Sequence, residues 1–320
     1  MRTINYILFG LALFTVPVIK FPQTDISNGL IHATIYLPDS KKGYYRGTRF
    51  DWSGNIASLK YSGHNYVDQW FIKYSPEIHD AILGPVEEFT PLDYLETKNG
   101  GSFLKIGVGM LYKSDDKPYT FSRLYQLLNP GKWTVKKKSD QVLFIHELND
   151  KMYSYHYEKT VQLTNGKPEM VLSHTLKNTG SRTIETSVYD HNFFVIDKHP
   201  IGPGIIIRLP FNLTCAGNGL DVLAEIEGNQ IVFPRVIGSG ETVFCPMLEG
   251  FGSSPNDYDI RIENRITGAG VRITCDQPLL KLAFWACSTT ACPEPYIKIK
   301  VDPGQEFTWK IKYEFYTLTK

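Results

Sequence analysis

From about residue 25 onward, apolar and polar positions alternate with a period of two along most of the chain, the pattern of strands with one buried face. Ile31, Ala33, Ile35 and Leu37 alternate with His32, Thr34 and Tyr36, and near the C-terminus Phe307, Trp309, Ile311, Tyr313 and Phe315 alternate with Thr308, Lys310, Lys312 and Glu314. The run Leu279 to Ala286 is apolar on both faces apart from Lys281 and predicts a central, buried strand. Turn chemistry punctuates these runs at Ser62-Gly63, Asn129-Pro130-Gly131, Asn165-Gly166, Gly217-Asn218-Gly219 and Asp302-Pro303-Gly304. No amphipathic helix of three turns, no repeat and no low-complexity linker interrupts the pattern, so one continuous antiparallel β domain with few helical residues is expected over 25–320.

Only the N-terminus departs from this. Arg2 precedes an uncharged, largely apolar stretch from Thr3 to Ile19, the shape of a secretory signal. It is short for a spanning helix, which needs about 20 apolar residues, and no clear cleavage site follows it. Residues 1–24 are therefore expected to export the chain to the periplasm or the extracellular space, as a signal peptide or as an uncleaved membrane anchor.

Composition narrows the partners. With 34 Lys and Arg against 33 Asp and Glu, the net charge is +1, so no global field recruits nucleic acid. Lys136-Lys137-Lys138 follows a glycine turn without interleaved aromatics and reads as a solvated strand edge. The five cysteines form no CxxC pair and none has zinc-finger spacing with histidine, so no metal site is expected. In an exported chain some of them can pair, and the odd number leaves at least one free. Cys275, in phase with Val271 and Ile273, reads as a small buried hydrophobe. Sequence leaves the oligomeric state open.

The eight histidines separate by phase. His174 shares a face with Met170, Leu172 and Leu176, which predicts a packed, hydrogen-bonded core residue. His191 shares its face with Tyr189, Ser187 and Glu185 at the end of a strand, where an imidazole either faces a cleft and titrates near neutrality or serves structure. Glu294 stands between Pro293 and Pro295 just after the buried run. Proline on both sides restricts its backbone, which suits a general base held within reach of a proton; an ordinary loop carboxylate is the alternative. Arg46 and Arg49 lie among Tyr44, Tyr45, Phe50 and Trp52. Arginines in that setting fork a carboxylate or sulfate, or else pair with Asp51 for structure.

Taken in order, these residues resemble the aldose 1-epimerases, or galactose mutarotases. Gly54 to Tyr66 resembles their N-terminal strand pair and His191-Asn192-Phe193-Phe194 their His-x-aromatic-Phe motif. Glu294-Pro295 resembles their C-terminal Glu motif, and Asp302-Pro303-Gly304 leading to Tyr313-Glu314-Phe315 their closing strand pair. The resemblance implies an all-β, mainly antiparallel galactose mutarotase-like β-supersandwich with a sugar cleft in one sheet. It also implies a mechanism in which Glu294 takes the proton of the anomeric hydroxyl and His191 protonates the ring oxygen, with no cofactor. Arg46, Arg49, Lys105 and Asn192 are the expected substrate contacts. One departure stands out: the family usually supplies a second histidine in the first third of the chain, and the matching segment, Gly100 to Met110, has Lys105 but no histidine. The expectation is thus an aldose 1-epimerase-like isomerase acting on a monosaccharide or a glycan end, one that is free or acidic. A noncatalytic carbohydrate-binding protein and a glycan lyase or hydrolase on the same fold are the alternatives.

Overall fold

The computed structural model describes residues 21–319. Residues 1–20, which carry most of the segment expected to direct export, lie outside the described residues; among those described, no helix is long and apolar enough to cross a membrane. The described residues are built from strands, with two short 3₁₀ turns among them at Ile196–Lys198 and Pro255–Asp257.

Ten strands form the larger sheet, in the order Glu225–Glu227, Gln230–Val232, Ile205–Arg208, Asp259–Asn264, Ala269–Cys275, Glu306–Thr317, Glu169–Asn178, Ser154–Leu163, Gln141–Asn149 and Lys132–Lys137. A five-stranded sheet runs Val243–Cys245, Lys281–Ala286, Ala291–Val301, Ile184–Phe193 and Gly84–Phe89. Four- and three-stranded sheets complete the molecule, and the strand pairings of both larger sheets are antiparallel. The alternation expected at the C-terminus is realised: Trp309, Ile311, Tyr313 and Phe315 are buried, while Lys310 is exposed. Cys275 is buried beside Val271 and Ile273, and Lys136 and Lys137 are exposed on the edge strand Lys132–Lys137. Cys215 and Cys245 are joined in a disulfide, leaving Cys275, Cys287 and Cys292 free.

A strand sends alternate side chains to opposite faces, and two neighbouring strands of the smaller sheet use this to make two polar layers. Glu87 and Asp190 project one way, Glu88, Tyr189 and His191 the other. On the inner side, Glu87 meets Lys159, and His174 Nε2 lies 2.8 Å from Glu87 Oε1. Asp51 lies 3.7 Å from the same Lys159 ammonium and receives hydrogen bonds from Ser53 and Tyr157. His174 stacks on Trp309 at 4.3 Å, as a core histidine. Gly107 turns the chain at φ 76°, and a Cβ there would fall 2.5 Å from Asp51 Oδ1; this glycine serves a tight turn against a buried carboxylate.

Charge in this layer is uneven. Burial works against ionisation of Glu87, yet His174 and Lys159 hold it at about 2. Asp190 is pushed up to about 8, by burial first and then by Glu87, although it accepts a hydrogen bond from Tyr313. Between the ordinary carboxyl value and about 8 the unfolded chain therefore ionises Asp190 while the folded one keeps it protonated, so stability falls as pH rises through that window. Asp190→Asn replaces a protonated carboxyl by a neutral amide and is expected to flatten this decline. Thermal midpoints measured from pH 5 to 8 check it, and an unchanged slope in the variant would count against a protonated Asp190.

Candidate active site

On its outer face the five-stranded sheet floors a cleft of about 550 Å³, within the range of about 300–1,000 Å³ usual for small-molecule sites. The strand Ile184–Phe193 supplies Tyr189, His191 and Phe193, each two residues apart and so on one face. The neighbouring strand Ala291–Val301 supplies Glu294 and Tyr296, Gly84–Phe89 supplies Glu88, and Trp285 and Phe244 come from the far side.

His191 and Glu294 meet at the centre, with Nε2 3.3 Å from Oε1. They are reached where two strands part. The ladder between Ile184–Phe193 and Ala291–Val301 pairs Ile184 with Val301 through to Tyr189 with Tyr296 and goes no further. Pro295 and Pro293 follow, and proline has no N–H to donate. The Asn192 amide takes over, donating to the Pro293 carbonyl at 3.0 Å and to the Asp190 carbonyl at 3.2 Å. Glu294 thus lies inside a strand, opposite Ala283 of Lys281–Ala286. Proline on both sides, which in sequence marked a restricted backbone, opens one edge of this strand and leaves the other paired.

The surroundings set the protonation of the pair. Burial pushes the Glu294 carboxyl up to about 7, with the Arg49 charge opposing it. Burial and then Arg49 take the His191 imidazole well below its ordinary value. The His191 ring stacks on Phe193 at 3.7 Å, and Phe193 stacks in turn on Trp70 at 4.5 Å, while Trp285 sets its edge to His191. Nδ1 of His191 has no hydrogen-bond partner among the described residues, so the contact of Nε2 with Glu294 is the polar contact that sets its tautomer.

Arg49 enters the cleft from the opposite wall. Its guanidinium lies between the rings of Phe50 and Phe121, at 4.4 and 4.1 Å from their centroids. It donates from Nε to Glu88 Oε2 at 2.8 Å, to the Tyr189 hydroxyl at 2.8 Å and to Asp80. Its partners are therefore Asp80 and Glu88; Asp51 belongs to the inner layer. Lys105 is fully buried behind Glu88, donating to Glu88 Oε1 and to the Tyr119 hydroxyl, each at 2.8 Å. Burial opposes the Glu88 charge, but Lys105 and Arg49 outweigh it and hold the carboxylate at about 2.

Of the residues singled out in sequence, His191, Glu294 and Arg49 line the cleft. Arg46 does not: its side chain bonds the Lys41 carbonyl and lies 3.8 Å from Glu77. Asn192 is fully buried and braces the backbone, and Lys105 reaches the cleft wall only through Glu88 and Tyr119. Sequence reading missed Glu88, Asp80, Tyr119 and Phe121. The adjacent acids Glu87-Glu88 in the otherwise uncharged run from Ala81 to Phe89 were the available signal, since consecutive strand residues face opposite sides. Among the described residues no group of three His, Cys, Asp or Glu is placed to hold a metal ion.

Known structures share this architecture. An aldose epimerase homologue from C. elegans superposes with a TM-score of 0.55 at 11% identity, covering 93% of this chain and 99% of that one. A galactose mutarotase-like protein from Lactobacillus casei gives a TM-score of 0.53 at 14% identity over 92% of this chain and all, 100%, of the other. A galactose mutarotase related enzyme from Lactobacillus acidophilus gives 0.54 at 11% identity over 93% and 98%. The fold is therefore the galactose mutarotase-like β-supersandwich that the ordered motifs implied. No protein-family model and no curated protein matches the sequence.

Proposed function

We propose that the protein exchanges the anomers of a neutral sugar by acid-base ring opening and closure. The observation that carries this reading is the contact of His191 with Glu294 on the floor of an aromatic-walled cleft, in a fold shared with aldose epimerase-like proteins. Ring opening needs one proton to leave the anomeric hydroxyl and another to reach the ring oxygen as the bond from that oxygen to the anomeric carbon breaks. Both oxygens are bonded to the same carbon, so two side-by-side groups can serve them. In the form of the pair in which the proton they share has moved from Glu294 to His191 Nε2, Glu294 takes the hydroxyl proton and His191 delivers its own to the ring oxygen; the aldehyde rotates, and closure on its other face reverses both transfers and restores the pair. General acid-base catalysis of this kind contributes about 10²- to 10⁴-fold.

Charge favours a neutral substrate over an acidic one. Arg49 at the cleft wall and Lys105 behind it are already matched by Glu88 and Asp80, so neither of them is left to receive a uronate or sulfate. The aromatic faces of Phe121, Trp70 and Trp285 suit the apolar face of a pyranose ring. Export is part of the same proposal, supported by the Cys215–Cys245 disulfide, a bond that persists in oxidising compartments.

Proton NMR of anomer exchange with a panel of neutral aldoses tests the reading. Exchange above the spontaneous rate is expected, while saturable binding without exchange would make the protein a sugar-binding module, and unsaturated or shortened products would make it a lyase or hydrolase. The pair works while it holds one transferable proton. That proton is lost as pH rises through about 7, the raised value of Glu294, so kcat/KM should fall on the alkaline side of neutrality. A rate flat from pH 6 to 9 would rule this out.

A further inference from the structure

The cleft does not end at the catalytic pair. Thr90, Pro91 and Tyr119 line it and also line a second cavity of about 560 Å³, so the two adjoin along these three residues. Tyr119 is pinned there: its hydroxyl accepts from Lys105 at 2.8 Å, and its ring stacks on Tyr125 at 5.5 Å. Each cavity alone has the volume usual for a small-molecule ligand, and a single hexose seated over Glu294 and His191 leaves the second unfilled.

The chemistry of the second cavity points to what fills it. Arg182 lies 2.6 Å from Asp93 and 5.0 Å from the ring centroid of Tyr153, whose hydroxyl bonds Asp93 at 3.1 Å. Glu96 and Glu185 also line it. Arg182 is matched by Asp93, and Lys298 lies 2.9 Å from Glu185, so no unmatched cation of this lining is left for a phosphate, sulfate or uronate, whereas carboxylates and a forked donor suit the hydroxyls of a neutral sugar.

We propose that the substrate is a neutral disaccharide or longer glycan, its reducing end over Glu294 and His191 and its next unit in the cavity beyond Tyr119. This rests on the anomer-exchange reading. The anomeric carbon of the first unit must be unlinked to open, so the second unit is joined through one of the other hydroxyls of that ring.

Glucose and galactose are to be compared with maltose, cellobiose and lactose, by exchange rate and by equilibrium binding, for the parent protein and for Arg182→Ala and Glu96→Trp. Both positions are at the surface, and the tryptophan fills the second cavity. At least one disaccharide is expected to exceed its own reducing-end monosaccharide in kcat/KM by about tenfold, equivalent to about 1.4 kcal/mol, and both variants should bring that ratio toward one. Equal efficiency for every disaccharide and its monosaccharide overturns the proposal, as does an advantage that survives both variants. If no sugar is exchanged, the anomer-exchange reading fails by itself; the groove then stands on disaccharide affinity that exceeds monosaccharide affinity and is lost in Glu96→Trp, and falls if the affinities are equal.

Discussion

Glu294→Gln is expected to lower kcat for anomer exchange by about two to four orders of magnitude while the thermal midpoint hardly moves. The substitution keeps the volume and the hydrogen-bonding capacity of a carboxyl that burial has already raised to about 7, so the folded state loses little. What it removes is the ability to accept and return a proton. His191→Asn should act in the same direction, because Nε2 is the other half of the exchange, and the two losses should not multiply when combined, since either one alone empties the pair. A fully active Glu294→Gln protein would refute the assignment of Glu294, whatever else the cleft does.

The second large effect concerns stability. Lys159 is fully buried, its ammonium held by Glu87, by Asp51 at 3.7 Å and by the Ser53 carbonyl at 3.2 Å. Burial lowers the tendency of this ammonium to stay charged, but Glu87 and Asp51 more than restore it. Lys159→Met would leave those carboxylates in the core with only His174 beside Glu87. Removing one partner of a buried ion pair typically costs about 3–5 kcal/mol, and a loss of that size in urea unfolding is expected. Lys159→Met combined with Glu87→Gln should recover part of it, because the stranded charge is then gone as well. A single variant within about 1 kcal/mol of the parent, the scale of an exposed ion pair, would show that the cluster contributes little.

Much of the fold was legible because period-two alternation is a direct consequence of strand geometry. Phe307 to Phe315 shows this, and the same counting placed His191 on the polar face of its strand, which is the face that floors the cleft. Glu294 was singled out because its flanking prolines restrict its backbone, and in the fold they do something further: they lie in a strand and stop its ladder with the neighbour that carries His191. The remaining wall was hidden. Asp80, Tyr119 and Phe121 come from irregular segments outside the strands, where no period announces which side chain turns inward, and Lys105, expected as a substrate contact, is held by a carboxylate of another strand, Glu88. Lys159 did leave a trace, in phase with Tyr155, Tyr157 and Val161, since a lysine on an apolar face requires a buried anion.

The order of strands beneath the cleft also bears on how the chain reaches its working state. In the five-stranded sheet only Lys281–Ala286 and Ala291–Val301 are close in sequence; Gly84–Phe89 joins Ile184–Phe193 across nearly a hundred residues, and that strand joins Ala291–Val301 across nearly another hundred. Pairings so distant must close large loops before any contact compensates them, so the cleft forms late and slowly. His191 has no Glu294 beside it until the C-terminal third of the chain has been made, which means that a nascent or truncated chain can hold folded pieces of this architecture and still have no site.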